Sequence, residues 1–173
     1  AHTGVHIKGT NDLIIDKSIL SDNGGYALDH NAYLRRVYKV LINDSQFLRS
    51  PSGNGVKITE ASDVAIQNSA FNENSARGIM FTGTLRAVVY NTKANLNHQY
   101  GIWSTTEETF PIDLFVIKNS QFNQNQDTGI NMRFARTGWI LDSVVKNNVS
   151  NDIYLYRSPK GIIDSVDADK VEM

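Results

Sequence analysis

Residues 55–79 read Gly55-Val56-Lys57-Ile58-Thr59-Glu60, then Ala61-Ser62-Asp63-Val64-Ala65-Ile66-Gln67, then Asn68-Ser69-Ala70-Phe71-Asn72-Glu73-Asn74-Ser75-Ala76-Arg77-Gly78-Ile79. The pairs Val56/Ile58 and Val64/Ile66 place apolar side chains at every second residue. That period belongs to strands with one buried face. No stretch here has the length or spacing of a helix. The segment ends where it began, on a glycine followed by an apolar residue.

The same unit recurs along the chain. Glycine-apolar pairs stand at Gly4-Val5, Gly25-Tyr26, Gly55-Val56, Gly78-Ile79, Gly101-Ile102 and Gly129-Ile130, with gaps of 21, 30, 23, 23 and 28 residues. A second marker, Asn/Asp-Ser-x-apolar, often with Asn three residues later, reads Asp44-Ser45-Gln46-Phe47, Asn68-Ser69-Ala70-Phe71, Asn119-Ser120-Gln121-Phe122 and Asp142-Ser143-Val144-Val145. Weaker copies begin at Lys17, Asn91 and Asp164. Three short strands per unit, separated by Gly/Asn/Ser corners, make a coil of a solenoid. The fold expected is therefore all-β: a parallel β-helix of about seven coils, forming one domain over residues 1–173.

Asparagine occurs 18 times. It tolerates the left-handed backbone of a tight corner, and its amide can bond to the coils above and below. Asn23, Asn74, Asn125 and Asn148 are expected to share one corner as structural residues, and Phe47, Phe71 and Phe122 to share one inward site. Val5, Tyr26, Val56, Ile79, Ile102, Ile130 and Ile153 are expected to stack within one sheet.

The composition excludes several functions. A net charge of −1, from 17 basic and 18 acidic residues, supplies no field that would draw the chain to nucleic acid or an anionic membrane. No apolar run reaches the roughly 18 residues of a membrane span. The absence of cysteine excludes disulfides and thiolate–metal sites. No cofactor is expected; calcium at the acidic corners Asp22, Glu73 or Asp127 is the sole candidate, and no coil offers a dense acidic loop.

The chemistry is sought on the outer face of the strand after each corner glycine. Outward positions there read His6 and Lys8, Ala27 and Asp29, Lys57 and Thr59, Met80 and Thr82, Trp103 and Thr105, Asn131 and Arg133, Tyr154 and Tyr156. Trp103, Tyr154 and Tyr156 can stack on sugar rings, while Lys57 and Arg133 can pair with uronate carboxylates. The alternative is an ordinary solvated face. Two coils carry extra residues, Asp29–Tyr38 and Thr105–Pro111, read as insertions at one equivalent corner beside this face. The first would present Arg35 and Arg36 as further cations.

With these markers the chain resembles the pectin-lyase-like right-handed parallel β-helix superfamily along essentially its whole length. That group includes polysaccharide lyases, mannuronan epimerases, some polysaccharide hydrolases and phage tailspikes. Tyr26-Ala27-Leu28-Asp29-His30 is similar to the Tyr-x-x-Asp-Pro-His segment of the epimerases, but lacks its proline and brings the histidine one residue early. The resemblance implies an extracellular, cell-surface or virion protein handling an acidic polysaccharide as a lyase or epimerase. Its alternatives are a non-catalytic glycan-binding or tailspike-like segment, and a structural spacer.

Removing the proton beside a uronate carboxylate needs a cation on the carboxylate and a base near the proton. The catalytic candidates are Asp29, His30, Tyr26 and Lys57, with Tyr33 as a further acid or base. Substrate-binding candidates are Trp103, Arg133, Arg35, Arg36, Tyr154 and Tyr156. For His30 the competing reading is a corner histidine bonded to backbone. A hydrolase would need two carboxylates about 5–9.5 Å apart; Glu107, Glu108 and Asp29 are the available ones and lie three coils apart. Partners expected besides the polysaccharide are a homotrimer or further domains of a longer chain covering the solenoid ends.

Overall fold

The computed structural model describes residues 3–24, 30–104 and 111–173. Among them there is no helix, and every strand pairing is parallel. The chain winds through about six turns of a β-solenoid, slightly fewer than the seven coils expected.

Each turn has three sides. The first is formed by residues 5–8 of the strand Val5–Asp16 and residues 32–35 of Ala32–Asn43. It continues through Val56–Thr59, Ile79–Thr82, Ile102–Ser104, Ile130–Arg133, Ile153–Tyr156 and Val171–Glu172. The second comprises the later halves of the two long strands, then Asp63–Gln67, Arg86–Tyr90, Leu114–Lys118, Gly138–Leu141 and Gly161–Asp164. Because the long strands run through both sides, the two form one 13-stranded sheet. The third side is short: Ile19–Ser21 pairs with Gln46–Leu48, single bridges run through Ala70, Lys93 and Gln121, and Val144–Val145 pairs with Asp167–Ala168.

Corner chemistry explains the markers. The Asn/Asp of the Asn/Asp-Ser marker turns the chain from the second side to the third with positive φ: Asp44 47°, Asn68 52°, Asn91 46°, Asn119 52°, Asp142 48°. These residue types adopt that conformation at least cost after glycine. The following serine links turns through its hydroxyl. Ser69 Oγ accepts the Ser45 N–H at 3.1 Å and donates to the Gln67 carbonyl at 2.7 Å. Two residues later comes the inward apolar side chain, and Phe47, Phe71 and Phe122 are fully buried as expected. Phe47 and Phe71 stack with centroids 4.8 Å apart. Phe71→Ala should lose about 3–5 kcal/mol of stability in chemical denaturation through lost burial and a cavity; a loss below about 1 kcal/mol would show that the stack contributes little.

The other asparagines form a buried ladder at the next corner. Asn74 Nδ2 donates to Asn97 Oδ1 at 3.1 Å, Asn97 Nδ2 to Asn125 Oδ1 at 3.0 Å, and Asn125 Nδ2 to Asn148 Oδ1 at 3.0 Å. Each amide thus satisfies a neighbour while running alongside the corner glycines. A Cβ on Gly129 would lie 2.7 Å from Asn148 Nδ2, and one on Gly101 2.6 Å from the Gly129 carbonyl oxygen. Glycine recurs there because the ladder and the next turn leave no room for a side chain.

Two turns depart from this rule, and one overturns an expectation. Ala32, not Tyr26, pairs with Val5 and Val56 in the first-side stack. The glycine position in that turn is Asn31. Its side chain folds into the ladder, accepting from Asn23 Nδ2 and donating to Asn74 Oδ1, both at 3.2 Å. It thereby covers the rung where Ser50 stands in place of asparagine. From Ala32 onward the supposed insertion Asp29–Tyr38 belongs to the strand Ala32–Asn43, which turns from the first side to the second at Arg36, φ 53°, so that corner carries no inserted residues in this turn. Tyr26, Ala27 and Asp29 lie outside the described residues, as do Thr105, Glu107 and Glu108.

At the other end Asp152 takes the glycine position. Its Oδ1 accepts from Asn148 Nδ2 at 2.9 Å, and its Oδ2 from the N–H groups of Asp169 and Lys170 at 2.9 and 3.1 Å. Burial alone would raise its pKa, but these hydrogen bonds outweigh it and hold the carboxyl below its usual value. A lowered folded-state pKa contributes stability that is present above the unfolded value of about 4 and is lost as pH falls through the folded one. Asp152→Asn would turn an amide N–H toward two backbone donors. The melting temperature of this variant should lie below that of the parent at neutral pH, with the gap narrowing below about pH 4. A gap independent of pH would contradict this account of the ladder's end.

Candidate functional site

The outer column of the first side follows the strand register: His6, Tyr33, Lys57, Met80, Trp103, Asn131, Tyr154. Tyr33 and Arg35 occupy the places expected for Ala27 and Asp29. At one end of the column neighbours touch, and at the other an aromatic pair stands beside an arginine. The His6 and Tyr33 rings stack at 4.9 Å, and Lys57 Nζ lies 5.3 Å from the Tyr33 centroid. Tyr154 and Tyr156 stack at 6.3 Å, with the Arg133 guanidinium 5.8 Å from the Tyr154 ring.

A second column flanks it, formed by the residue before each glycine position: His30, Asn54, Arg77, Tyr100, Thr128. Arg77 and Tyr100 were not among the residues expected from the sequence. The Arg77 guanidinium lies 4.2 Å from the Trp103 ring centroid and 5.8 Å from that of Tyr100, and the two rings are parallel at 5.7 Å. Its strand neighbours fix the backbone, since the Arg77 N–H donates to Asn54 Oδ1 at 3.1 Å. The signal that would have found these residues is the pattern x-Gly-apolar read one residue earlier, as a column in its own right.

Positive charge is in excess at the centre of this face. Burial lowers the pKa of Lys57, and the positive charges of Arg77 and Arg35 lower it further. Burial also lowers that of Arg77, opposed by Tyr100 and by the Asp127 carboxylate. Neither cation makes an ion pair among the described residues. Arg77 Nε and Trp103 Nε1 are buried without a hydrogen-bond partner. An unsatisfied buried donor costs on the order of 1–3 kcal/mol, so this arrangement is unfavourable in isolation. Burial and the Asp127 carboxylate push the Tyr100 phenol upward, keeping it neutral.

The remaining expected residues fall elsewhere. Arg35 and Arg36 do not project from an inserted corner; both close on Glu60, at 3.1 and 2.7 Å, which offsets one of the two charges. Arg133 does not join Lys57. It sits beside Tyr154, on a strand separated from that of Lys57 by two others, and its Nε reaches Asn131 Oδ1 at 3.4 Å. With Tyr154 and Tyr156 it forms a separate aromatic patch further along the same face.

His30 is 5% exposed, and its Nδ1 accepts the Asn54 N–H at 3.1 Å. The neutral ring therefore carries its proton on Nε2. Its ring meets Tyr33 edge-on at 5.8 Å, so it borders the Lys57 cluster while being held by backbone. Of the acidic corners, Asp22 is occupied by Arg49 at 2.9 Å and Asp127 accepts from Thr128 Oγ1 at 3.2 Å. Among the described residues no group of three or more His, Asp or Glu is placed to hold a metal ion.

No curated protein and no solved structure matches this chain. A family model described as a right handed beta helix region matches residues 3–168, nearly the whole length. The winding, the match and the resemblance to pectin-lyase-like proteins agree, and the chain belongs to the right-handed β-helix family.

Proposed function

We propose that this chain is an extracellular β-helix module that binds an acidic polysaccharide along the first side and acts on it as a lyase or epimerase. One observation carries the reading: Lys57 and Arg77 are neighbouring, half-buried cations that make no ion pair among the described residues, set among the aromatic rings of Tyr33, Tyr100 and Trp103. Like charges raise each other's energy, and a bound carboxylate relieves both. Trp103 and Tyr100 offer apolar surface for a sugar ring.

The chemistry follows from the same groups. Arg77 holds the uronate carboxylate and stabilises the negative charge that develops when the adjacent C–H proton is removed. Lys57, with its lowered pKa, has the greater neutral fraction needed of a base. In elimination the C–H electron pair becomes the new C=C bond, the bond to the leaving glycosidic oxygen breaks, and that oxygen takes a proton, with Tyr33 the nearest phenol to Lys57. In epimerisation the proton returns to the opposite face of the same carbon.

The non-catalytic glycan-binding reading has one observation in its favour, the backbone clamp on His30 Nδ1. A glycan array that includes alginates and pectins tests binding. Any hit is then incubated in heavy water and assayed for ultraviolet absorbance of a new double bond and for deuterium at the carbon beside the carboxylate. Either signal establishes catalysis; binding with neither supports the adhesion reading. Failure to bind any uronate polymer would overturn the proposal.

A further inference from the structure

A clamp for one carboxylate does not by itself select the neighbouring sugar, and the corner beside Arg77 bears on that choice. The residue before each glycine position forms the column Asn54, Arg77, Tyr100 and Thr128. The residue one place earlier forms a parallel column: Gly53, Ala76, Gln99, Asp127 and Ser150. Backbone hydrogen bonds hold this second column in register. The Gln99 N–H donates to the Ala76 carbonyl at 2.8 Å, that of Asp127 to Gln99 at 2.9 Å, and that of Ser150 to Asp127 at 3.0 Å.

The chemistry of this column changes along the solenoid. In the turns of Lys57 and Arg77 it presents Gly53 and Ala76, which bring no polar side-chain group. From the turn of Trp103 onward it presents acceptors. Gln99 Oε1 is buried with no hydrogen-bond partner among the described residues. That is unfavourable as it stands, and the soft terminal torsion of a glutamine lets a donor from outside relieve it. The Asp127 carboxylate accepts from the Tyr100 hydroxyl and, at 3.2 Å, from Thr128 Oγ1. A carboxylate has about four acceptor positions, so it can take further donors.

The Arg77 guanidinium lies over the Trp103 ring. A carboxylate held there is therefore about one strand step, roughly 4.8 Å, from the turn of Asp127. A pyranose residue has about that length, so the sugar next to the clamped uronate faces Gln99 and Asp127. Arg133, the cation of the same turn, stands at the far end of its strand beside Tyr154. A second carboxylate on the adjacent sugar would meet Asp127, and such a like-charge contact discriminates against the ligand that makes it. A sugar bearing an N–H would meet two acceptors instead.

Resting on the reading of the first side as a uronate-polymer site, we infer that Gln99 and Asp127 set its specificity for a polymer in which uronate alternates with an N-acetylated amino sugar. The acetamido N–H donates to Gln99 Oε1, and hydroxyls of the same sugar donate to Asp127. Neither residue takes part in proton removal.

Isothermal titration with two polymers of equal length tests this: a homopolyuronate, and one alternating uronate with N-acetylhexosamine. Per uronate, the alternating polymer should bind about tenfold tighter. Asp127→Asn, which can still accept from Tyr100, should shrink that ratio by tightening the homopolymer. Gln99→Leu should shrink it by weakening the alternating polymer. Because the ratio is taken within one variant, a general loss of folded protein does not move it. Asp113→Asn, whose carboxylate is closed on Arg136 in the parent, should leave it unchanged. A homopolymer that binds as tightly as the alternating one, or a ratio unmoved by Asp127→Asn, overturns the inference and leaves an acidic polysaccharide as the ligand. Binding of neither polymer overturns it together with the reading on which it rests.

Discussion

Asn97→Leu should leave the chain unfolded or close to it at room temperature. Asn97 is fully buried, and its side chain serves both neighbouring turns. Its Oδ1 accepts the Asn74 N–H at 3.0 Å and Asn74 Nδ2 at 3.1 Å, while its Nδ2 donates to the Phe71 carbonyl and to Asn125 Oδ1, both at 3.0 Å. Leucine has the same branched outline but bulkier methyl groups, so overpacking adds to the polar loss. Four buried groups lose a bond, at about 1–3 kcal/mol for each left unsatisfied, so the expected loss is about 5 kcal/mol or more. That rivals the whole stability of many domains, about 5–15 kcal/mol. Circular dichroism and denaturant titration measure it. A variant within about 1 kcal/mol of the parent would mean that the ladder is replaceable by any filler. Conversely, Ser50→Asn places an amide where the ladder skips a rung and Asn31 already substitutes, so it should add little.

The second large effect is functional. Arg77→Ala should reduce affinity for a uronate polymer at least tenfold and suppress turnover further, because it removes the carboxylate clamp and the charge stabilisation of the transition state together. Lys57→Met should remove turnover while retaining part of the binding through Arg77 and Trp103. Because Lys57 titrates below an ordinary lysine, the rate should rise with pH along a limb lying below the usual range near 10. Lys57→Arg should eliminate that limb. Trp103→Ala should weaken binding in either reading of the function, since it removes the shelf under both the ring and Arg77. Neutral substitutions at Arg36, already closed on Glu60, should leave binding and rate unchanged. Isothermal titration and initial rates separate these cases, and a parent-like Arg77→Ala variant would contradict the assignment.

The fold was legible because its rules are local. A strand alternation, an Asn/Asp able to take positive φ and a buried phenylalanine two residues after a serine all fall within a short window, as in Asn68-Ser69-Ala70-Phe71. The turn containing Asn31 was misread for a physical reason. Glycine there is one of two solutions to the same crowding, the other being a side chain that enters the ladder itself. A pattern search sees only the first, and Gly25-Tyr26 matched it by coincidence of type. The site was less legible because it is a column across turns. The outward positions of Lys57 and Trp103 follow from strand parity. Arg77 and Tyr100 were not, since they stand at the corner before the strand, where parity gives no direction. Arg35 and Arg36 looked available because their partner Glu60 lies a full turn away in the chain, invisible until the register is known.

The central claim is that the Arg77–Trp103 pair, beside Lys57, receives the carboxylates of an acidic polymer. The chain holds two tryptophans, so Trp139→Phe leaves Trp103 as the sole indole and the site's own reporter. Its fluorescence should change saturably on titration with a polyuronate, lose that response as salt is raised, and show at least tenfold weaker response to the same polymer with its carboxylates reduced to alcohols. An equal response to both polymers, or none to the polyuronate, would contradict the account.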